Sequence, residues 1–101
     1  MKWFWTWRGL SFGYRSGDSL FTYHGDEVAR FHGQELYDAD GDYLGEVLKG
    51  DRLVTRPSKK SWREVPFVAT HATAFPIVAD HPGYAMYTGY TDFPSPETIG
   101  K

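Results

Sequence analysis

Leu36-Tyr37-Asp38-Ala39-Asp40-Gly41-Asp42-Tyr43-Leu44-Gly45-Glu46 is the clearest copy of a unit that recurs along this chain. Laid in phase, Lys2 to Gly17, Asp18 to Gly33 and Gln34 to Gly50 run 16, 16 and 17 residues, and each ends in Gly. The eighth position holds Gly9, Gly25 and Gly41, and the third holds Phe4, Leu20 and Leu36. The eleventh carries Phe12, Val28 and Leu44, each followed by a small residue, Gly13, Ala29 and Gly45. A fourth copy starts at Asp51 with Arg52-Leu53-Val54-Thr55 and loses the pattern at Arg56-Pro57-Ser58-Lys59-Lys60. Repeats this short are usually single supersecondary units that need neighbours to bury their apolar face.

Each unit reads as a β-hairpin. Asp38-Ala39-Asp40-Gly41-Asp42 suits a type I turn closed by a Gly with positive φ, the three-residue loop with a bulge. Under that turn the third position is expected to pair with the eleventh: Phe4 with Phe12, Leu20 with Val28, Leu36 with Leu44. A two-residue turn would instead pair the fourth with the eleventh, and a one-residue slip reverses every side chain. The first register is preferred because its partners are more uniformly apolar. The fold expected is therefore all-β, with at least six strands within residues 2–56 and no helix longer than two turns.

One domain of 101 residues accommodates a modest core. Aromatics make up 18% of the chain, and no stretch of ten residues keeps a helical period. The absence of cysteine excludes disulfides and thiolate metal sites. The opening Met1-Lys2-Trp3-Phe4-Trp5-Thr6-Trp7-Arg8 is too short and too soon charged for a signal peptide, and nothing approaches a membrane span, so a cytoplasmic location is expected. Residues 18–48 are strongly acidic and residues 49–63 strongly basic, which would give two electrostatic faces if the fold gathers each block.

Trp3, Trp5 and Trp7 alternate along one strand and share a face. They could be a stacking platform for sugars or unpaired bases. Three exposed indoles would harm solubility, so packing under the C-terminal segment is expected instead. His24 and His32 precede the two turn glycines of the second unit, at its opposite ends, which argues against a shared metal. Asp38, Asp40 and Asp42 resemble the start of a calcium loop. Such a loop needs Gly at its sixth place and Glu at its twelfth, where this chain has Tyr43 and Lys49. Neither a metal nor a cofactor is expected.

Arg56, Lys59, Lys60, Trp62 and Arg63 are the candidate ligand-binding residues: four cations beside an indole, where charge-assisted bonds to phosphate or carboxylate are available. One basic loop in an acidic chain is a weak nucleic-acid signal. The tail from Glu64 shows short strand-like pieces, at 65–70 and 85–90, broken by Pro66, Pro76, Pro82, Pro94 and Pro96. His71, His81, Tyr84, Tyr87 and Tyr90 show no spacing that a reaction requires. The tail is expected to wrap the hairpins, with residues 1–67 forming the repeats, 68–101 the wrapping segment, and Pro94 onward loosely held.

With the units aligned, the first two-thirds of the chain resembles the four-fold β-flower family of small bacterial proteins. Phe21 with Val28-Ala29, and Tyr37 with Leu44-Gly45, match its hairpin pattern, and Phe12-Gly13 matches it less closely. The resemblance implies hairpin petals around a pseudo-four-fold axis in a shallow barrel, distantly similar to the C-terminal domain of Tubby-like proteins, which bind phosphoinositides. It carries over no functional residues. The decayed fourth unit and the long tail depart from the family pattern. Tyr37-Asp38-Ala39-Asp40-Gly41 also resembles a single YD repeat of Rhs shell proteins, which occur in long arrays. Gly13, Ala29 and Gly45 would let neighbouring backbones approach closely, or leave room for an aromatic from the next hairpin.

The functional expectation is a non-enzymatic binding or interaction domain, for an amphipathic small molecule, an anionic head group or a protein. No catalytic residues are assigned. One alternative is a small hydrolase-like enzyme using His71 or His81 with Asp80. The other is a purely structural, oligomer-forming role, favoured if the Trp3, Trp5 and Trp7 face is uncovered.

Overall fold

The computed structural model describes residues 1–99; Gly100 and Lys101, the end of the expected wrapping segment, lie outside them. Seven strands follow one another: β1 (Lys2–Thr6), β2 (Ser11–Ser16), β3 (Ser19–Thr22), β4 (Glu27–His32), β5 (Glu35–Tyr37), β6 (Tyr43–Leu48) and β7 (Arg52–Thr55). Each pairs antiparallel with the next, and β7 pairs in parallel with β1, closing a seven-stranded barrel. The parallel seam follows from parity: in an up-and-down meander with an odd number of strands, first and last point the same way. A short β8 (Thr91–Asp92) lies antiparallel to the end of β7. Along β7, Arg52 and Leu53 face β1, while Val54 and Thr55 face β8. The helices among the described residues are the 3₁₀ turn Pro57–Lys59 and α1 (Pro96–Ile99). The all-β expectation therefore holds.

The three turns are built alike. Gly9, Gly25 and Gly41 have φ of +98°, +94° and +88°. Their N–H groups donate to the carbonyls of Thr6, Thr22 and Asp38 at 2.9 Å each. Glycine takes this left-handed backbone without a Cβ clash. The fifth position of each unit caps the loop from its side chain: Thr6 Oγ1 accepts from Leu10 N, Thr22 Oγ1 from Asp26 N, and Asp38 Oδ1 from Asp40 and Asp42 N. Short polar side chains of this kind satisfy turn amides that the ladder leaves over.

The register differs from both pairings expected. Phe4 lies opposite Gly13, Leu20 opposite Ala29 and Leu36 opposite Gly45, so the third position faces the twelfth. The fourth then faces the tenth: Trp5 with Ser11, Phe21 with Glu27, Tyr37 with Tyr43. The eleventh residue is a bulge, an extra residue that bends the strand and strengthens its twist. A bulge is expected at the turn glycine; propensity and alternation do not show that the eleventh residue is also set out of the ladder.

The barrel interior holds Phe4, Phe12, Leu20, Val28, Ala29, Phe31, Leu36, Leu53 and Phe93. Leu44, Val47 and Ile99 pack against them. The small twelfth positions make room for neighbours: a Cβ on Gly13 would lie 1.9 Å from Phe21 O, and one on Gly45 would lie 2.4 Å from Val54 O and 2.6 Å from the Phe93 ring. Phe93 thus comes from the tail to finish the core. With Pro96 buried and Ile99 packed on the interior, residues 94–99 are anchored rather than loosely held.

The tail crosses the turns in reverse order. Glu64, Ala72 and His81 donate their N–H groups to the carbonyls of Gly41, Gly25 and Gly9, at 2.9, 2.7 and 2.8 Å. Three residues later in each case, Phe67, Phe75 and Tyr84 donate to the carbonyls of Ala39, Tyr23 and Trp7. A Cβ on the turn glycines would meet this strap, 2.3 Å from Glu64 O at Gly41 and 1.9 Å from His81 O at Gly9. The strap makes its first turn contacts at Trp62 and Glu64, so the boundary expected at 67/68 falls inside it.

Candidate functional site

The three indoles are covered by the strap, as expected. Trp3 packs on Tyr14 and Phe75, Trp5 on His81, and Trp7 on Tyr84 and Tyr87. Trp5 Nε1 donates to Ala79 O and Trp7 Nε1 to Ala85 O, both at 2.9 Å. Trp7, the fully buried one of the three, thereby satisfies its indole N–H. Trp7 is buried and Trp3 and Trp5 are half-buried beneath the tail, so the row is not an open stacking platform.

The five candidate ligand residues do not converge. Lys59 Nζ turns inward and lies 2.8 Å from both Glu35 Oε2 and Glu46 Oε1, and 4.6 Å from the centre of the Trp62 ring. Burial alone would lower its pKa, but the bonds to Glu35 and Glu46 prevail and hold it above the ordinary 10.5. Tyr43 joins this cluster, donating to Glu46 at 2.9 Å while its oxygen accepts Arg56 N at 3.1 Å. Burial holds that phenol well above its usual range. Arg63 reaches the turn of the third hairpin, where it bonds Asp42 Oδ1 and Asp40 O. Arg56 lies over the Tyr90 ring at 5.4 Å. Trp62 is half exposed, its backbone bound to Tyr43 N. Lys60 is exposed, and among the described residues it has no charged or aromatic partner.

Asp38, Asp40 and Asp42 bring one carboxylate oxygen each within 4.8 Å of the others. Asp38 Oδ1 accepts two backbone N–H groups, and Asp42 Oδ1 is bonded by Arg63. The triad therefore acts as turn cap and strap anchor. It borders a cavity of about 480 Å³ lined by Asp26, Glu27, Val28, Leu44, Thr70 and Ile99 among others. Glu27 within it has no exposed side chain and accepts from Ser19, Arg30 and Thr70. Burial pushes its carboxyl up, and these bonds outweigh burial to hold it below the ordinary 4.5.

The histidines each meet the tail or lie within it. His71 Nδ1 lies 3.0 Å from Asp26 Oδ1, His24 Nε2 3.5 Å from Glu97, and His32 Nδ1 3.7 Å from Glu64. The His81 ring lies tilted against Trp5, with centroids 3.8 Å apart. Asp80, the expected carboxylate partner, accepts Ser11 N at 2.8 Å. The pair that forms, His71 with Asp26, sits on the rim of the acidic cavity. The Thr70 hydroxyl beside it donates to Glu27 rather than to His71.

No family model, curated protein or solved structure matches the chain. The site must be argued from its own chemistry.

A groove that sequence reading missed lies where the tail returns to the first turn. It encloses about 440 Å³ between Arg8, Tyr84, Met86, Tyr90, Thr91 and Asp92, within the range of small-molecule sites. Tyr84 and Met86 are substantially exposed there. Cations surround the rings: Arg52 is 4.5 Å and Lys49 5.1 Å from the Tyr84 centroid, and Arg56 faces Tyr90. The Asp92 carboxylate is engaged by Trp7 N at 2.8 Å and Arg8 N at 3.3 Å. The Arg8 side chain is 79% exposed and, among the described residues, makes one long ion pair, Nε to Asp92 Oδ2 at 3.8 Å. The three-residue spacing of Tyr84, Tyr87 and Tyr90 was the available signal. Nothing in it located Arg8, some 76 positions earlier in the chain. Among the described residues no helix is long and apolar enough to cross a membrane.

Proposed function

We propose that this chain is a non-enzymatic binding domain for an amphipathic anion, held in the groove between Arg8 and the Tyr84, Met86 and Tyr90 side chains. One observation carries the reading: exposed aromatic and thioether surface lies directly beside a largely exposed guanidinium whose one charged partner among the described residues, Asp92, is 3.8 Å away at Nε. The apolar part of the ligand lies on Tyr84, Met86 and Tyr90, where flexible sulfur and flat rings adapt to irregular shapes. The head group takes charge-assisted bonds from Arg8, strengthened by the field of Lys49, Arg52 and Arg56. Of the residues first considered for anion binding, Arg56 borders this face, whereas Lys59 and Arg63 have carboxylate partners elsewhere.

The fold side of the proposal is a β-flower-like arrangement. In it, β7 and β8 make the fourth hairpin, with Asp92 and Phe93 standing where Ser11-Phe12, Glu27-Val28 and Tyr43-Leu44 stand in the first three. The pairing of Val54 with Asp92 and the buried Phe93 ring favour this reading. A hydrolase-like alternative is favoured by the His71–Asp26 pair beside the acidic cavity. The structural, oligomer-forming alternative loses its support with the indoles covered.

Trp7 lies 5.0 Å from Tyr84, so its fluorescence reports on the groove. Octyl phosphate should change that emission saturably, and octanol or inorganic phosphate far less. Arg8→Gln and Tyr90→Ala should each weaken binding at least five-fold, and Lys60→Ala should leave it unchanged. The reading fails if the parent shows no saturable response, or if both groove variants bind like the parent.

A further inference from the structure

We infer that filling of the groove and docking of the C-terminal strand are one equilibrium, so that the ligand acts as a clasp on the tail. The inference rests on the groove being the binding site. Five of its six lining residues, Tyr84, Met86, Tyr90, Thr91 and Asp92, come from the tail, and the sixth, Arg8, from the first turn. The groove exists while that tail segment lies against that turn, and it is absent when the segment leaves.

The docked segment is held by few bonds. β8 has two residues, Tyr84 N donates to Trp7 O at 3.1 Å, the Asp92 carboxylate receives Trp7 N and Arg8 N, and Trp7 Nε1 and Arg52 donate to the carbonyls of Ala85 and Pro82. Below them Phe93 enters the interior, edge-on to Phe12 at 5.2 Å and against Gly45. Tyr84, Met86 and Tyr87 leave much of their surface in water. Segments with few buried contacts open more readily than the ladders they rest on. Opening would withdraw Phe93 from the core and uncover Trp7, which is 1% exposed when the tail is docked.

A ligand shifts such an equilibrium by its differential affinity for the two states. Here that difference is the whole of the binding, because the open state has no groove. At a ligand concentration one hundred times Kd, opening should be suppressed about 100-fold.

The test is amide hydrogen exchange of the full chain with and without octyl phosphate at saturation. Exchange at Tyr84, Tyr90 and Phe93 should slow about ten-fold or more, with β3, β4 and β5 unchanged. Phe93→Ala should weaken octyl phosphate binding by a similar factor, although Phe93 does not line the groove. Circular dichroism shows whether that variant keeps its strands, and if it does not, exchange in the parent decides. Saturable binding with unaltered exchange at these amides overturns the inference and leaves the binding reading intact. No saturable binding overturns both.

Discussion

The barrel and the strap that crosses it are stabilised in different ways. In β1 to β7 each strand has a neighbour on both sides, and together they enclose an interior to fill. The strap from Trp62 to Tyr90 is mostly exposed and touches the barrel at discrete points, one set of bonds at each turn. Its stability is borrowed from the turns it crosses, while the barrel's is cooperative. Substitutions in the barrel should therefore act globally, and those under the strap should act locally.

Gly13→Ala should have the largest effect. Its Cβ would sit 1.9 Å from Phe21 O and 2.8 Å from Thr22 Cα, both backbone atoms of the next strand. Overpacking against backbone cannot be relieved by a rotamer change, so a loss of about 3 kcal/mol or more is expected. Thermal or urea unfolding would measure it, and strap and barrel signals should fall together. A parent-like midpoint would mean that β2 and β3 approach less closely than described.

Glu27→Gln should sit in the middle, at about 2 kcal/mol, because it weakens bonds to Ser19, Arg30 and Thr70 at a fully buried side chain. Thr70 belongs to the strap, so amide exchange there should rise before exchange in β4. The pH dependence has a definite sign. Glu27 titrates below its ordinary 4.5 when folded, so its stabilisation is complete above that value and is lost as pH falls through the folded one. The variant should lack this part of the acid limb, and an acid limb identical to the parent's would refute the assignment.

Lys59→Met should be the mildest, about 1 kcal/mol, since the partly buried ammonium bridges Glu35 and Glu46. Its raised pKa gives the opposite sign. The contribution is complete below the ordinary 10.5 and is lost as pH rises through the folded value. Stability curves of parent and variant should converge in strong alkali. Curves that stay parallel there would show that the effect is packing, not charge.

The difference between the two regions also explains which features could be read in advance. Gly9, Gly25 and Gly41 announced their turns, and Phe4, Leu20 and Leu36 their inward face, because turn chemistry and alternation are local. The tail looked irregular although its contacts recur at 64, 72 and 81 and again at 67, 75 and 84. The first set shares no residue type because its bonds run through the main chain. The second set is aromatic throughout, Phe67, Phe75 and Tyr84, and was the legible trace of the rhythm.

The candidate site divided along the same line. A basic run is visible in sequence, but whether its charges remain available depends on who stands opposite. Glu35 and Glu46 hold Lys59, and Asp42 holds Arg63, across gaps of 13 to 24 residues. Arg8 looked unremarkable beside a tryptophan run until the tail brought Tyr84, Met86 and Tyr90 to it.

Local chemistry thus dictated three in-phase hairpins and an apolar inner row, since a turn glycine and an alternating strand act over a few residues. Closure of the barrel by a parallel β1–β7 seam, the Phe93 plug and the groove at Arg8 arise from contacts between distant segments. Those contacts depend on distances in space that no stretch of the chain encodes by itself, so they emerged once the fold had brought the partners together.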